Sequence, residues 1–230
     1  MAIATPRRDY AIRPVAGRVA VLASGGLDSS VMLAELARRG RSVFPIYVRA
    51  GLRWEREELA VLRRFIRALE RNTIEPITVL NLPTGDLDRD HWSVTGRGVP
   101  GYRAAISSNY IVGRNLSLLS KAAIFCAQNR IGEIAIAVLR GNPFPDAQPR
   151  FFRAFERAVA FGVGLPLRIA TPYARLTKAQ VIAHGRDLPL RLTVSCIRPA
   201  GIRHCGACTK CAERAAGFRA AGIADPTAYL

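Results

Sequence analysis

The strongest constraint on the fold is a junction near the N-terminus, where an apolar run meets a glycine turn and then a helix. Arg18 to Ala23 (RVAVLA) reads as a strand buried on both faces of a parallel sheet. Ser24-Gly25-Gly26-Leu27-Asp28-Ser29 follows as the turn, and Ser29 to Arg39 carries apolar residues at helical spacing, with Gly40 as its stop. The alternation then recurs. Ser42 to Val48 reads as a second strand, with Pro45 marking an edge or an irregularity. Glu55 to Glu70 is an amphipathic helix, Ile77 to Leu82 a third strand, Tyr110 to Arg130 a long helix and Ile134 to Leu139 a fourth strand. A helix over Phe151 to Phe161, an extended piece over Arg168 to Ala170 and a helix over Thr177 to Gly185 complete the series. Strands alternating with helices of this length predict an α/β fold with a doubly wound, mostly parallel sheet. Pro83 to Asn109 breaks the rhythm, and a loop of that size in a compact domain reads as a lid or a substrate-binding segment.

Each residue type in the glycine turn has a physical use. Two glycines let the backbone turn tightly and bring N–H groups close to a phosphate. The helix that follows adds the positive end of its dipole and its unpaired donors. Ser24 and Ser29 supply hydroxyls, and Asp28 is a candidate ligand for Mg²⁺ beside the phosphates. The turn is neither a Walker A loop nor a Rossmann fingerprint, because it lacks both Gly-Lys-Ser/Thr and Gly-x-Gly-x-x-Gly.

Four of the five cysteines fall near the C-terminus, as Cys196, Cys205, Cys208 and Cys211. The spacing C-x8-C-x2-C-x2-C suits four thiolates on tetrahedral Zn²⁺. An iron–sulfur cluster has compatible ligands. His204 is an alternative ligand beside Cys205, and Cys126, inside an apolar helix, reads as a buried core thiol. A zinc ion with a full protein shell has no open position and would be structural. The cysteines divide the chain into an α/β domain over residues 1–190 and a metal-binding segment over 191–230.

A net charge of +17 suggests a polyanionic partner, yet only Lys121, Lys178 and Lys210 among the 34 basic residues are lysines. Such arginine preference is what codon bias would produce, and the arginines form no block. Nucleic acid is therefore not the favoured partner, and there is no aromatic-rich platform for stacking bases. No apolar run approaches the roughly 18–20 residues of a membrane span. Met1 to Arg13 carries Arg7, Arg8 and Asp9 with no apolar stretch behind them, so it does not read as a secretory signal. A cytoplasmic location is expected.

The SGGLDS turn resembles the phosphate loop of the ATP-pyrophosphatases, with the adenine nucleotide alpha hydrolase-like fold. The likeness continues in Gly113-Arg114-Asn115, in Thr171-Pro172 through Thr177-Lys178, and in the Cys196 to Arg214 block. Together these resemble the 7-cyano-7-deazaguanine synthase family of queuosine biosynthesis, over nearly the whole chain. The resemblance implies two activations by ATP. A deazaguanine carboxylate is adenylated and converted by ammonia to an amide, and the amide is then activated and dehydrated to a nitrile. Ser24, Gly25, Gly26, Leu27, Asp28, Ser29 and Asn115 would bind ATP, Asp28 with Mg²⁺, while Arg114 and Lys178 would offset charge on the pyrophosphate. Relatives imply a homodimer.

The likeness weakens on the substrate side. The family's Asp-x-Ser-Gly-Tyr-Pro-Asp-Cys-Arg stretch becomes Arg140 to Gln148, keeping only Pro145 and Asp146, and its Tyr-Gly-Gln-Arg-His stretch becomes Val48 to Trp54. Asp146, Asn142 and Trp54 are the expected residues of an altered substrate pocket. A ligase that stops at an amide on another acyl substrate is the first alternative, and an RNA-binding zinc module the second.

Overall fold

The computed structural model describes residues 11–230, so Arg7, Arg8 and Asp9 lie outside the described residues. Five strands make one sheet: β1 (Arg18–Leu22), β2 (Ser42–Arg49), β3 (Thr78–Asn81), β4 (Glu133–Ala135) and β5 (Arg168–Ala170). All pairings are parallel, in the order β3-β2-β1-β4-β5. The helices between them are α1 (Leu27–Arg38), α2 (Glu55–Leu69), the single turn α3 (Trp92–Thr95), α4 (Arg114–Gln128) and α5 (Pro149–Val163), and α6 (Lys178–His184) and α7 (Thr209–Ala221) follow β5.

Successive strand side chains point to opposite faces, and β1 shows the consequence. Ala20 and Leu22 belong to a core that takes Leu119, Ala123 and Cys126 from α4 and Phe152 and Phe155 from α5. Val19 and Val21 face the other core, built with Val31 and Leu33 of α1, Leu59 and Leu62 of α2, Val181 of α6 and Phe218 of α7. With helices on both faces, the central strand is apolar throughout. Cys126 is fully buried, and burial alone pushes its thiol up to about 12. Among the described residues no helix is long and apolar enough to cross a membrane.

Two details differ from the sequence expectation, and at Pro45 the structure decides between the two alternatives. Pro45 does not mark an edge, because β2 is paired on both sides. It marks an irregularity. From the Val43–Ile74 bridge to the Ile46–Thr78 pair, β2 advances three residues while its neighbour advances four. The neighbouring chain bulges opposite the residue that has no N–H to offer. The fourth strand ends at Ala135, not Leu139. Val138 donates to the Ile136 carbonyl (3.0 Å), curling the chain out of the sheet. Finally, α7 goes unread in the sequence, because the cysteines claim its first turn. It packs along α6, and Gly217 makes the close approach possible: a Cβ there would lie 2.4 Å from Cγ of Lys178. Cys196, Cys208 and Cys211 share a third, smaller core with Trp54, Val61, Ile111 and Val194.

Candidate active site and metal centre

Strands β1 and β4 are neighbours, but the chain leaves them toward opposite edges of the sheet. At such a switch point, the connections diverge and leave a crevice beyond the carboxyl ends of the strands. A cavity of ≈ 190 Å³ opens there between Ser24, Ile46, Val48, Asn115 and Ile136. A larger one of ≈ 470 Å³ runs on past Asn109, Tyr110, Phe144 and Asp146. A third, ≈ 210 Å³, lies between the glycine loop and the Val194–Ile197 segment. Asp28 and Arg114 line all three, so this is one branched cleft.

The glycine loop forms one wall of that cleft. Gly25 has φ +72°, and a Cβ on it would lie 2.5 Å from the carbonyl oxygen of Glu58 in α2. Only glycine meets both demands. The loop is also pinned behind, where Val194 donates to the Gly25 carbonyl (2.9 Å). Its hydroxyls face each other: Ser24 and Ser29 Oγ are 3.3 Å apart, and Ser24 Oγ accepts from the Gly26 amide (3.2 Å). Leu27, Asp28 and Ser29 open α1 without a side-chain cap, so their amides are donors with no preceding turn to receive them. Unpaired amides at a helix start are the kind of donors that can receive an anion.

A chain of alternating charges runs from the loop into the C-terminal helix. Asp28 Oδ2 accepts from Lys178 Nζ at 2.6 Å, Lys178 reaches Glu213 Oε1 at 3.0 Å, and Lys210 reaches Glu213 Oε2 at 2.8 Å. Burial opposes the charge on Lys178, but the Asp28 and Glu213 carboxylates outweigh it and hold its pKa above the ordinary value. Burial likewise opposes ionisation of Glu213, yet Lys178 and Lys210 bring it down to about 2. The second carboxylate oxygen of Asp28 and Arg114 Nε are both buried, with no hydrogen-bond partner among the described residues. On the α2 side, burial raises Glu58 to about 7 against the pull of Arg114 and of the Tyr47 hydroxyl, which donates to it at 2.8 Å.

The four C-terminal thiols converge. Their sulfurs all lie within 4.8 Å of one another, with Cys196–Cys208 and Cys205–Cys211 at 3.9 Å and Cys208–Cys211 at 3.5 Å. A tetrahedral ion with Zn–S bonds of about 2.3 Å needs edges of about 3.8 Å, so the donor set fits. Amides of Arg198 and Cys205 donate toward Cys196 Sγ (3.3 Å each), contacts that stabilise a metal-bound thiolate. His204 is not a ligand. Its Nε2 accepts from the Ser195 amide at 3.0 Å, and burial, then the Arg214 guanidinium, lowers it to about 4.

The residues expected to line the substrate pocket separate. Asn142 and Asp146 line the larger cavity, whereas Trp54 lines only the cavity behind the glycine loop. Trp54 is buried and stacks on Trp92 (5.7 Å between centroids, 18° between planes). Asn142 Oδ1 caps the Phe144 amide (3.0 Å), and Asp146 Oδ2 accepts from the Asn115 amide (2.8 Å) in the first turn of α4. Asn115 answers by donating Nδ2 to the Asp146 carbonyl (3.2 Å). The sequence reading missed Lys210, Glu213, Glu58 and Asn109. Lys210 and Glu213 carried a signal, an i,i+3 pair of opposite charge beginning at the second residue of α7. Arg114, Lys178 and Asp28 do come together, as Arg114 and Lys178 line two of the three branches with Asp28.

Residues 18–222 match the family described as "Queuosine biosynthesis protein QueC". A 7-cyano-7-deazaguanine synthase of Anaeromyxobacter sp. (strain Fw109-5) is 39% identical over 225 residues, covering 93% of this chain and 96% of that protein. The protein of the same name from Anaeromyxobacter dehalogenans (strain 2CP-C) is 37% identical with the same coverage. The one from Acetivibrio thermocellus is 31% identical over 93% of this chain and 98% of its own length.

Proposed function

The chain belongs to the family described as queuosine biosynthesis protein QueC, and from that premise we propose that it is an ATP-dependent, nitrile-forming ligase acting on a deazapurine carboxylate. The observation that carries the reading is the seat between β1 and α1: a glycine turn, free helix amides and Asp28 with one unpartnered oxygen, at the sheet's switch point. The amides of Leu27, Asp28 and Ser29 and the hydroxyls of Ser24 and Ser29 bind the β and γ phosphates of ATP. The unpartnered oxygen of Asp28 suits Mg²⁺, which when bound would offset phosphate charge. Asn115 borders the nucleotide cavity on the α4 side.

In the reaction we propose, a carboxylate oxygen attacks the α phosphorus, the bond to the β phosphate breaks, and pyrophosphate leaves. Arg114 and Lys178 offset the charge that builds on it. Ammonia attacks the acyl carbon, AMP departs and a proton is released, giving the amide. A second ATP activates the amide oxygen in the same way, with release of pyrophosphate and of one N–H proton to give an imidate. Loss of AMP and of the second proton then leaves the nitrile. The four thiolates suit Zn²⁺ with a closed shell, which would supply no open coordination position and would hold α7 in place. Asp146 and Asn142 belong to the substrate side and Trp54 supports the wall behind the loop. A cytoplasmic homodimer is part of the same proposal, with the arginines a solvated surface that takes no part in it.

The test combines the protein with ATP, Mg²⁺, ammonium and 7-carboxy-7-deazaguanine, with mass detection of AMP, amide and nitrile. Nitrile and two AMP per product are expected, and Asp28→Ala should abolish both without unfolding the chain. Amide alone would favour the amide-forming ligase. Full turnover by Asp28→Ala would refute the phosphate seat.

A further inference from the structure

Resting on that reading of the site, we propose that Asn109 is a specificity-determining residue, donating through Nδ2 to a neutral ring carbonyl of the acyl substrate. Asn109 ends the short turn Ile106–Asn109 that closes the long loop before α4. Its Oδ1 is already spoken for, because Thr209 Oγ1 lies 2.6 Å away. That distance is short for N–H···O and ordinary for O–H···O, so the hydroxyl donates and the amide is fixed with Oδ1 toward Thr209. The other arm, Nδ2, is shut away from solvent and has no partner among the described residues. Buried amide donors are normally paired, and leaving one unpaired costs free energy. Asn109 borders the larger cavity, so a ligand filling that cavity reaches Nδ2 by displacing the atoms that cover it.

The arm's surroundings indicate what it meets. Tyr110 and Phe144, stacked at 5.1 Å and 25°, line the same cavity and offer aromatic surface to a flat ring. Asp28, Arg114, Lys178 and Lys210 line both this cavity and the one behind the glycine loop, whereas Asn109, Tyr110 and Phe144 line only this one. Three of the four cations of the larger cavity therefore gather where the carboxylate must meet the phosphates, and Arg140 is the one that lines this cavity alone. Asn109 is a neutral donor among the residues found only here, and a carbonyl acceptor suits it. Thr209 is itself held by donating its amide to the Pro100 carbonyl (3.1 Å) and follows Cys208 as the first residue of α7. The metal centre thus anchors the residue that orients the recognition group.

The experiment compares KM for 7-carboxy-7-deazaguanine with KM for ATP in the unsubstituted protein, its Asn109→Asp variant and its Thr209→Val variant. Asn109→Asp keeps the shape and the bond from Thr209 but replaces the free donor with an acceptor. It should raise KM for the heterocycle about 10- to 100-fold, with KM for ATP within about twofold. Thr209→Val unlocks the amide, which then presents either end, and should give a smaller rise of about threefold or more in the same constant alone. A purely structural role would move both constants, or the melting temperature, together. Unchanged heterocycle KM in both variants, or parallel rises in both constants, overturns the assignment of Asn109. If Asn109→Asp does not fold, Thr209→Val decides by the same criterion. No turnover of this heterocycle by the unsubstituted protein would instead overturn the proposed function, and this inference with it.

Discussion

Replacing Gly25 with alanine tests whether the glycine loop is held by backbone conformation, by crowding against α2, or by both. At φ +72° an L-residue pays about 1–2 kcal/mol. The added Cβ would also stand 2.5 Å from the Glu58 carbonyl oxygen and 3.1 Å from Val61 Cγ2. The first contact is with helix backbone, which cannot rotate aside, and the loop cannot retreat without loosening the 2.9 Å bond from Val194 to the Gly25 carbonyl. Overpacking of this kind costs about 1–3 kcal/mol, so the total comes to about 2–5 kcal/mol. Gly40 provides the control. Its φ is +74°, and a Cβ there meets nothing within 4 Å, so Gly40→Ala carries the conformational cost alone. Both substitutions stiffen the unfolded chain equally, and that effect cancels between them. Urea unfolding of the two variants gives the crowding contribution as the difference in midpoint at constant slope. Gly25→Ala should lose at least about 1 kcal/mol more than Gly40→Ala and should also weaken ATP binding, which Gly40→Ala should not. Equal losses in the two variants would refute the claim that α2 and the loop are locked together.

Two further outcomes follow. Glu58, raised from 4.5 to about 7 by burial against the opposing Arg114 charge and Tyr47 hydrogen bond, keeps a proton in the folded state that the unfolded chain has released. Between those pH values the folded form binds more protons, so this group's stability contribution falls as pH rises through the window, by at most about 3 kcal/mol. Glu58→Gln should flatten that part of the stability–pH curve, and an unaltered slope would show that Glu58 titrates normally. Chelation should remove one zinc per chain and lower the melting temperature, because α7 and the Val194–Ile197 segment share their core with the thiols. Turnover should fall with the fold, since α7 carries Lys210 and Glu213. Metal analysis that finds iron, or a melting temperature unmoved by metal removal, would contradict a structural zinc.

Much of this fold was legible because its determinants are local. The apolar β1, the glycine turn and α1 follow from three adjacent stretches of sequence, and the same grammar recurs to β5. The four cysteines were legible because metal ligands at C-x2-C spacing need only a turn between them. The end of β4 was not legible, because the apolar run Ile136 to Leu139 fits a strand as well as a cavity wall. The role of Pro45 depended on a bulge in a neighbour thirty residues away.

By itself, the sequence decided most of the strands and helices, the glycine turn that follows β1 and which thiols come together, since those depend mainly on contacts within a few residues. Only the tertiary structure decided α7, the end of β4 and what surrounds that turn. Lys178 comes from a different crossover than Asp28, Glu213 and Lys210 reach them from α7, and Thr209 orients Asn109 across a hundred residues of chain. Charge pairing and hydrogen bonding act over a few ångströms of space whatever the separation in sequence, so these partnerships exist only after the sheet has brought its carboxyl ends together.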